Sequence, residues 1–463
     1  MGTAMTAFRS IKLNNWRQFA SVEIEFHPRL TIITGSNGAG KSTILNICSQ
    51  HFGYSRPILA TPKRTKTGGI AYDLGYYGAM SFSARDIVEE SVSDEYYDED
   101  EELEFDFLVR PDGDTSSSSE KVIGAGEFVE IGSLTYDNDV VASIGFHEHQ
   151  TQAYGLQINN QQHVLGVPIG SHRSIAGYQP VQGLSLQLVT IANAYQAFFG
   201  EYVNRLNGGA TQFSPLYRMK ETLIAMAAFG EGNNHLERND ELSSAFEGFS
   251  KVLRKVLPKE IGFQKLVVRV PDIVLKTRSG EFMVDASSGG VTALMEIAWQ
   301  LYLFSLTSPS FVATLDEPEN HLHPSMQRTI LANLVDAFPQ AQFVVATHSP
   351  FIVSAVEDSR VYALKYSGSV GQSGFPTHGP RRVRSVVLDQ TAKAGSAGEI
   401  LKEVLGVSVS MPDWAAKRLD KILVSFQGES VSPATLQKLR KALAEQGFAE
   451  FYPQALAKLV ETA

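Results

Sequence analysis

The stretch Gly35-Ser36-Asn37-Gly38-Ala39-Gly40-Lys41-Ser42-Thr43 carries the pattern G-x-x-x-x-G-K-[ST] in full. Its glycines let the backbone wrap closely around phosphate oxygens, with amide N–H groups pointing inward. A helix beginning near Lys41 would direct the positive end of its dipole at the same oxygens. Lys41 is expected to bridge β- and γ-phosphates, and Ser42 to ligate Mg²⁺. A second segment, Phe311 to Leu315, is apolar and ends in Asp316 and Glu317. Asp316 fits a holder of Mg²⁺, directly or through water, and Glu317 fits a general base that polarises a water. In a third, the apolar run Phe343 to Ala346 ends in Thr347-His348-Ser349-Pro350, which places His348 to reach a γ-phosphate. A fourth, Asp285-Ala286-Ser287-Ser288-Gly289-Gly290, precedes an apolar helix from Val291 to Leu306. Small residues and free amides at a helix N-terminus make another phosphate site.

These residues need strands that end side by side. Leu30 to Thr34 is apolar and β-branched, as a buried central strand is, while Val22 to Phe26 alternates with period two. Between Asp316 and Phe343 there is room for one helix, expected over Ser325 to Phe338, so the two strands can be neighbours in a parallel sheet. Residues 1–52 and 264–394 are read as the two parts of one core. Between them lie a β-rich insertion over 53–182 and a helical lobe over 183–263. The lobe carries apolar residues at three- and four-residue spacing in Ala192 to Leu206 and Leu216 to Phe229. The insertion contains the acidic run Asp94 to Glu102 and a Ser-rich tip, Asp112 to Ser119. A helical appendage is expected over 395–463, where Ser432-Pro433 starts a helix that Gly447 ends.

The chain has 463 residues, 43% hydrophobic and 19% charged, with a formal net charge of −10. That is the profile of a soluble globular protein, with no apolar run long enough to span a bilayer and no signal-peptide pattern. Its single cysteine, Cys48, excludes an internal disulfide and reads as a small core residue. A cytoplasmic location and no membrane partner follow as expectations. The acidic balance gives no sign of general nucleic-acid affinity, though a local basic groove is compatible with it. His147 and His149 flank Glu148 in a metal-pair spacing with no further ligand cluster nearby in sequence.

Taken together, the four segments resemble ABC-type ATPases, and their wording resembles the RecF, SMC and OLD-like branch. Asp316-Glu317-Pro318-Glu319-Asn320-His321-Leu322-His323-Pro324 is similar to the "DEPE-N-x-LHP" form of OLD-like ATPases. Thr347 to Pro350 matches their "THSP" switch, and Asn14 to Phe19 resembles the strand before their phosphate loop. The resemblance implies an α/β, ABC-type P-loop fold with a mixed sheet and a site for ATP and Mg²⁺. It also implies a shared site. Lys41, Ser42, Asp316, Glu317 and His348 act in one subunit, and the signature segment of a second closes over the γ-phosphate. Two registers of that segment remain open, one placing Ser287 and the other Ser288 with Gly289 against phosphate. No Q-loop glutamine stands in an obvious setting after Gly53.

OLD-type nucleases continue into a metal-dependent TOPRIM domain, which needs a later Asp-x-Asp. None follows His348, so no nuclease is expected in this chain. The layout resembles ATPase subunits of anti-phage systems of the Septu and PARIS types. This implies a homodimer or higher homo-oligomer, driven by ATP, that controls a separate effector such as a nuclease or toxin. A RecF-like clamp that binds DNA is the alternative. A transporter subunit fits less well, since its signature would read "LSGGQ".

Overall fold

A computed structural model describes residues 6–65, 69–76, 127–148, 152–173, 177–185, 190–209, 211–367 and 382–389, and in the C-terminal part 395, 397–404, 413–426, 432–452 and 455–456. The acidic run and the Ser-rich tip lie outside the described residues, as does His149.

An eleven-stranded mixed sheet organises the fold. At one side, strands Leu30–Gly35, Ala341–Thr347, Phe311–Asp316 and Gly166–Ile169 run parallel, with Arg360–Ser367 parallel on the outer side of Leu30–Gly35. The first two are buried along their whole length. That burial explains why they read as continuous apolar, β-branched runs and not as alternating ones. Arg382–Val387 pairs antiparallel with Arg360–Ser367 and parallel with Phe19–Glu25, and so joins the parallel half to an antiparallel half. Phe8–Trp16 and Phe19–Glu25 form its hairpin. Their inward residues, including Ile11, Leu13, Trp16, Phe19, Val22 and Ile24, are buried in one cluster with the phosphate-loop helix residues Ile44, Leu45 and Ile47.

The segment expected as an insertion behaves differently. Phe128–Tyr136, Val141–His147 and Gln157–Asn159 extend the antiparallel half by pairing onto Phe8–Trp16. Gly166–Ile169 enters the parallel half beside Phe311–Asp316. Residues 53–182 therefore supply four strands of the core sheet. Phe128–Tyr136 and Gly166–Ile169 pair with partners more than a hundred residues away, a register that local composition cannot announce.

Three helices, Ile191–Leu206, Pro215–Gly230 and Asp240–Val256, pack with the long helix Gly289–Thr307. The first three start on the side chains of Thr190, Ser214 and Asn239, each accepting a backbone N–H of the first turn. The Asp240–Val256 helix also carries Asp240 and Glu241 in its first turn and Arg254 and Lys255 in its last, which complements the helix dipole. The helix expected over Ser325 to Phe338 is broken into Pro324–Gln327 and Ile330–Ala337, with Thr329 as the junction.

The chain divides into two compact units, 1–388 and 389–463. In the second, Asp413–Val424 and Pro433–Glu445 bury Leu419, Leu423, Leu439 and Leu443 with Phe426 and Phe448. Ser432 caps the second helix through Thr435 N at 3.2 Å. No described helix is long and apolar enough to cross a membrane.

Gly132 tests the pairing of the former insertion. A Cβ there would lie 1.9 Å from the Lys12 carbonyl oxygen of the neighbouring strand. Gly132→Ala is expected to destabilise unit 1 by about 1–3 kcal/mol, as overpacking does. In urea this appears as a lower midpoint with an unchanged slope.

Candidate functional site

The register of the parallel strands determines where the polar ends fall. Ala346 lies opposite Ile33 on one side and Asp316 on the other, Thr347 opposite Thr34, and Leu364 opposite Gly35. The strands thus end nearly level, and their loops leave the sheet at one edge. In open parallel sheets the carboxyl edge is where ligands bind.

Gly35, Gly38 and Gly40 have φ of 144°, 76° and 96°. A Cβ at Gly40 would come 2.3 Å from the Phe19 ring and one at Gly35 would come 2.5 Å from the Leu364 carbonyl oxygen. Conformation and space both require glycine there. Ser36, Asn37 and Gly38 are exposed at the rim, while Ala39 is buried and anchors the loop. The helix Lys41–Ser49 begins directly on this loop, with Thr43 half-buried in its first turn.

Lys41 is buried, and its Nζ donates to the carbonyls of Gly35 and Ser36 at 3.1 and 3.3 Å. It also lies 2.6 Å from His348 Nε2. A charged ammonium has no lone pair, so this contact requires His348 Nε2 to accept, and the ring is neutral. Burial and the Lys41 charge both hold the imidazole below its ordinary pKa. Burial also lowers the Lys41 pKa, opposed by Glu317 and Asp316. Ser42 Oγ donates to Asp316 Oδ1 at 3.0 Å. Burial pushes the Asp316 carboxyl up, against the pull of Ser42 and Lys41.

Glu317 sits at φ 46°, an unusual conformation for a residue with a side chain, and its N–H donates to Ala346 O at 2.9 Å. This turn aims its carboxylate at the His348 segment. The His348 N–H donates to Glu317 Oε2 at 3.2 Å, and His348 Nε2 is 3.4 Å from Glu317 Oε1. Burial, then the adjacent Glu319, pushes the Glu317 carboxyl up to about 8.

Two residues outside the sequence-derived set complete the constellation. Glu319 is buried, and its Oε1 accepts from Thr347 Oγ1, His348 N and Ser349 N. It ties the loop after one strand to the loop after the next. Arg173 follows the Gly166–Ile169 strand and donates to the carbonyls of Glu317, Pro318 and Asn320 at 3.4, 3.2 and 3.2 Å. It also faces Glu296 on the Gly289–Thr307 helix, whose carboxyl burial pushes up to about 7 against the pull of Arg173 and Arg205. The sequence signal for Arg173 is the polar turn Gly170-Ser171-His172-Arg173 after the apolar run Val164 to Ile169. That signal is weak alone, because the strand's neighbour in the sheet lies 146 residues on in sequence.

The structure brings Lys41, Ser42, Asp316, Glu317 and His348 together. No hydrogen bond found among the described residues joins Ser287, Ser288 or Gly289 to that group. They lie at the start of the Gly289–Thr307 helix, where Ser288 occupies the cap position without a side-chain cap bond. Ser288 and Gly289 are exposed. A Cβ on Gly290 would come 2.9 Å from the His321 carbonyl oxygen, so this helix start packs closely on the His321 turn.

Comparison with known proteins gives two family matches. Residues 10–107 match a family described as an AAA domain, and residues 295–354 one described as "AAA domain, putative AbiEii toxin, Type IV TA system". The chain is 27% identical to the retron Ec83 probable ATPase of Escherichia coli over 153 residues, 32% of this chain and 26% of that protein. It is 26% identical to the Septu protein PtuA of Bacillus thuringiensis over 164 residues, 33% of this chain and 39% of that one. Over residues 10–107 and 295–354, which hold the phosphate loop and the Asp316 and His348 segments, the chain is similar to AAA-domain proteins. The matched stretches span well under two thirds of these relatives. Among solved structures, the SMC head domain from Thermotoga maritima aligns over 82% of this chain and 99% of its own, at 15% identity and a TM-score of 0.38.

The raised Glu317 pKa predicts a pH signature. The ordinary value is 4.5 and the folded value about 8. Across that window the unfolded chain releases the proton while the folded site keeps it, so its contribution to stability falls as pH rises. Glu317→Gln is neutral throughout. Its melting temperature should match that of the parent near pH 4.5 and exceed it increasingly up to about pH 8. A pH-independent difference in thermal melts would contradict the assignment.

Proposed function

We propose that the chain is an ATP-hydrolysing switch whose site is completed by a second copy of itself. What carries this reading is the division of the motifs. One chain gathers Lys41, Ser42, Asp316, Glu317 and His348 at the sheet edge, and leaves Ser288 and Gly289 exposed with no hydrogen bond to that group among the described residues.

In this reading the triphosphate displaces the internal partners of Lys41. The ammonium leaves the Gly35 and Ser36 carbonyls and His348, and turns to the β- and γ-oxygens. The loop amides of Ser36 to Thr43 hold the rest of the phosphate chain. The Ser42 hydroxyl and Asp316 carboxylate, 3.0 Å apart, are the hard oxygen donors that Mg²⁺ takes. No cluster of three or more His, Cys, Asp or Glu side chains suited to a metal occurs among the described residues. That suits an ion bound partly through phosphate and water. Bound there by Ser42 and Asp316, Mg²⁺ would neutralise charge on the phosphates.

Glu317 then accepts a proton from a water that attacks the γ-phosphorus, while the bond to the leaving ADP oxygen breaks. Only the deprotonated carboxylate can do this, so in this reading turnover rises with pH towards about 8 as Glu317 loses its proton. His348, freed from Lys41, hydrogen-bonds the γ-phosphate and reports its presence to the Glu319-tied loops. The second copy contributes its Ser287 or Ser288 hydroxyl with the Gly289 amide. Because ATP binds best to the closed pair, it favours association, and hydrolysis releases it. The likeness to retron and Septu proteins supports a role in anti-phage defence, in which the closed pair controls a separate effector protein, a nuclease or toxin.

Lys41→Ala should abolish binding of a fluorescent ATP analogue. Glu317→Gln should keep binding, lose turnover by about 10²–10⁴-fold, and accumulate an ATP-dependent larger species in light scattering. Retained affinity in the first variant, or wild-type turnover in the second, would remove the reading.

A further inference from the structure

Lys220 is the one lysine whose side chain has no solvent exposure among the described ion pairs. It lies on the Pro215–Gly230 helix, remote in sequence from every motif above. Its ammonium has three protons and three acceptors: Asp285 Oδ2 at 2.7 Å, Asp272 Oδ1 at 3.1 Å and the Gln179 carbonyl at 2.6 Å. The ring of Tyr178 covers it at 5.2 Å, and the Tyr178 hydroxyl donates to the second oxygen of Asp272 at 2.8 Å.

The positions of these partners in the chain carry the inference. Asp285 lies in the short helical turn Val284–Ala286, and Ser287 N–H closes that turn on Val284 O at 3.1 Å. Fixing Asp285 therefore fixes the residue two before Ser287. Gln179 and Tyr178 lie in the strap that follows Arg173 by a few residues. The Gln179 side chain is itself held, accepting from Ser214 N and donating to Gln212 O. One ammonium thus joins the segment leaving Arg173 to the segment entering the signature.

Stability alone does not account for such a cluster. Two carboxylates and one ammonium out of water are held at a desolvation cost that apolar side chains of similar volume avoid. What charges provide is direction, since one nitrogen holds the Gln179 carbonyl and the Asp272 and Asp285 carboxylates together.

We propose that Lys220 is a positioning residue that sets the Ser287–Gly289 segment for contact with the nucleotide of a second copy, and links that segment to the strap beyond Arg173. This rests on the shared-site reading above. Lys220 touches neither nucleotide nor water in this account. Its loss should therefore leave single-chain nucleotide binding unchanged while weakening ATP-driven association.

The test uses the full chain carrying Glu317→Gln as parent. Lys220→Met, Asp272→Asn and Asp285→Asn are combined so that no charge is left unpaired. Affinity for a fluorescent ATP analogue is measured at a concentration where the chain is monomeric, and association with ATP by light scattering. The expected result is an unchanged affinity and association weakened about tenfold. If the triple variant gives no cooperative melt, Asp285→Asn alone is measured in the same way. Equal association of a folded variant and the parent overturns the role of Lys220 and leaves the shared site standing. A parent that binds ATP without associating overturns the shared site, and this inference with it.

Discussion

The site depends on the level ending of three parallel strands. Ile33, Ala346 and Asp316 stand in register across the sheet, so Gly35, His348 and Glu317 follow within two residues of one another's height. A slip of one residue in either pairing would carry one of these loops about 3.3 Å along the strand from its neighbours. The chemistry therefore depends on the register that the packed core holds. Arg173 and Glu319 add the second restraint. They hold the emerging loops through carbonyls and amides, and leave the reacting side chains free.

The electrostatics of this edge are poised and not relaxed. Asp316, Glu317 and Glu319 crowd behind a single ammonium, Lys41, which satisfies itself with two carbonyls and a histidine. Burial and the neighbouring carboxylate keep the Glu317 proton in place up to about pH 8. A triphosphate brings negative charge into such a place and must be met by the loop amides, the helix terminus and a cation. These supply what the carboxylates lack. In the proposed reading the geometry suits an anion that arrives with a divalent ion.

Much of this was legible in local sequence, because each motif sits at the end of its own strand. Gly35 to Thr43 specifies its loop through glycines that no other residue replaces, and the runs ending at Asp316 and Thr347 announce buried parallel strands. The rest depended on distant partners. Phe128–Tyr136 looked like part of an insertion because nothing local reveals that Phe8–Trp16 receives it. Arg173 was hidden for the same reason: its partners are the carbonyls of Glu317, Pro318 and Asn320, 144 to 147 residues downstream. Lys220 carries no motif at all, and only its burial between Asp272 and Asp285 marks it out. The single helix expected over Ser325 to Phe338 is interrupted at Arg328 and Thr329.

The central claim is that one chain holds the phosphate loop and another closes it. Mixing tests this most directly. Lys41→Ala removes one half of a site and Ser288→Arg the other, so neither variant alone should turn over ATP. In a one-to-one mixture, random pairing makes half the dimers mixed, and each mixed dimer has one intact site. ATPase activity should return to about a quarter of the wild-type rate. A mixture as inactive as its parts, or full activity in the Ser288→Arg chain alone, would contradict a site built from two copies.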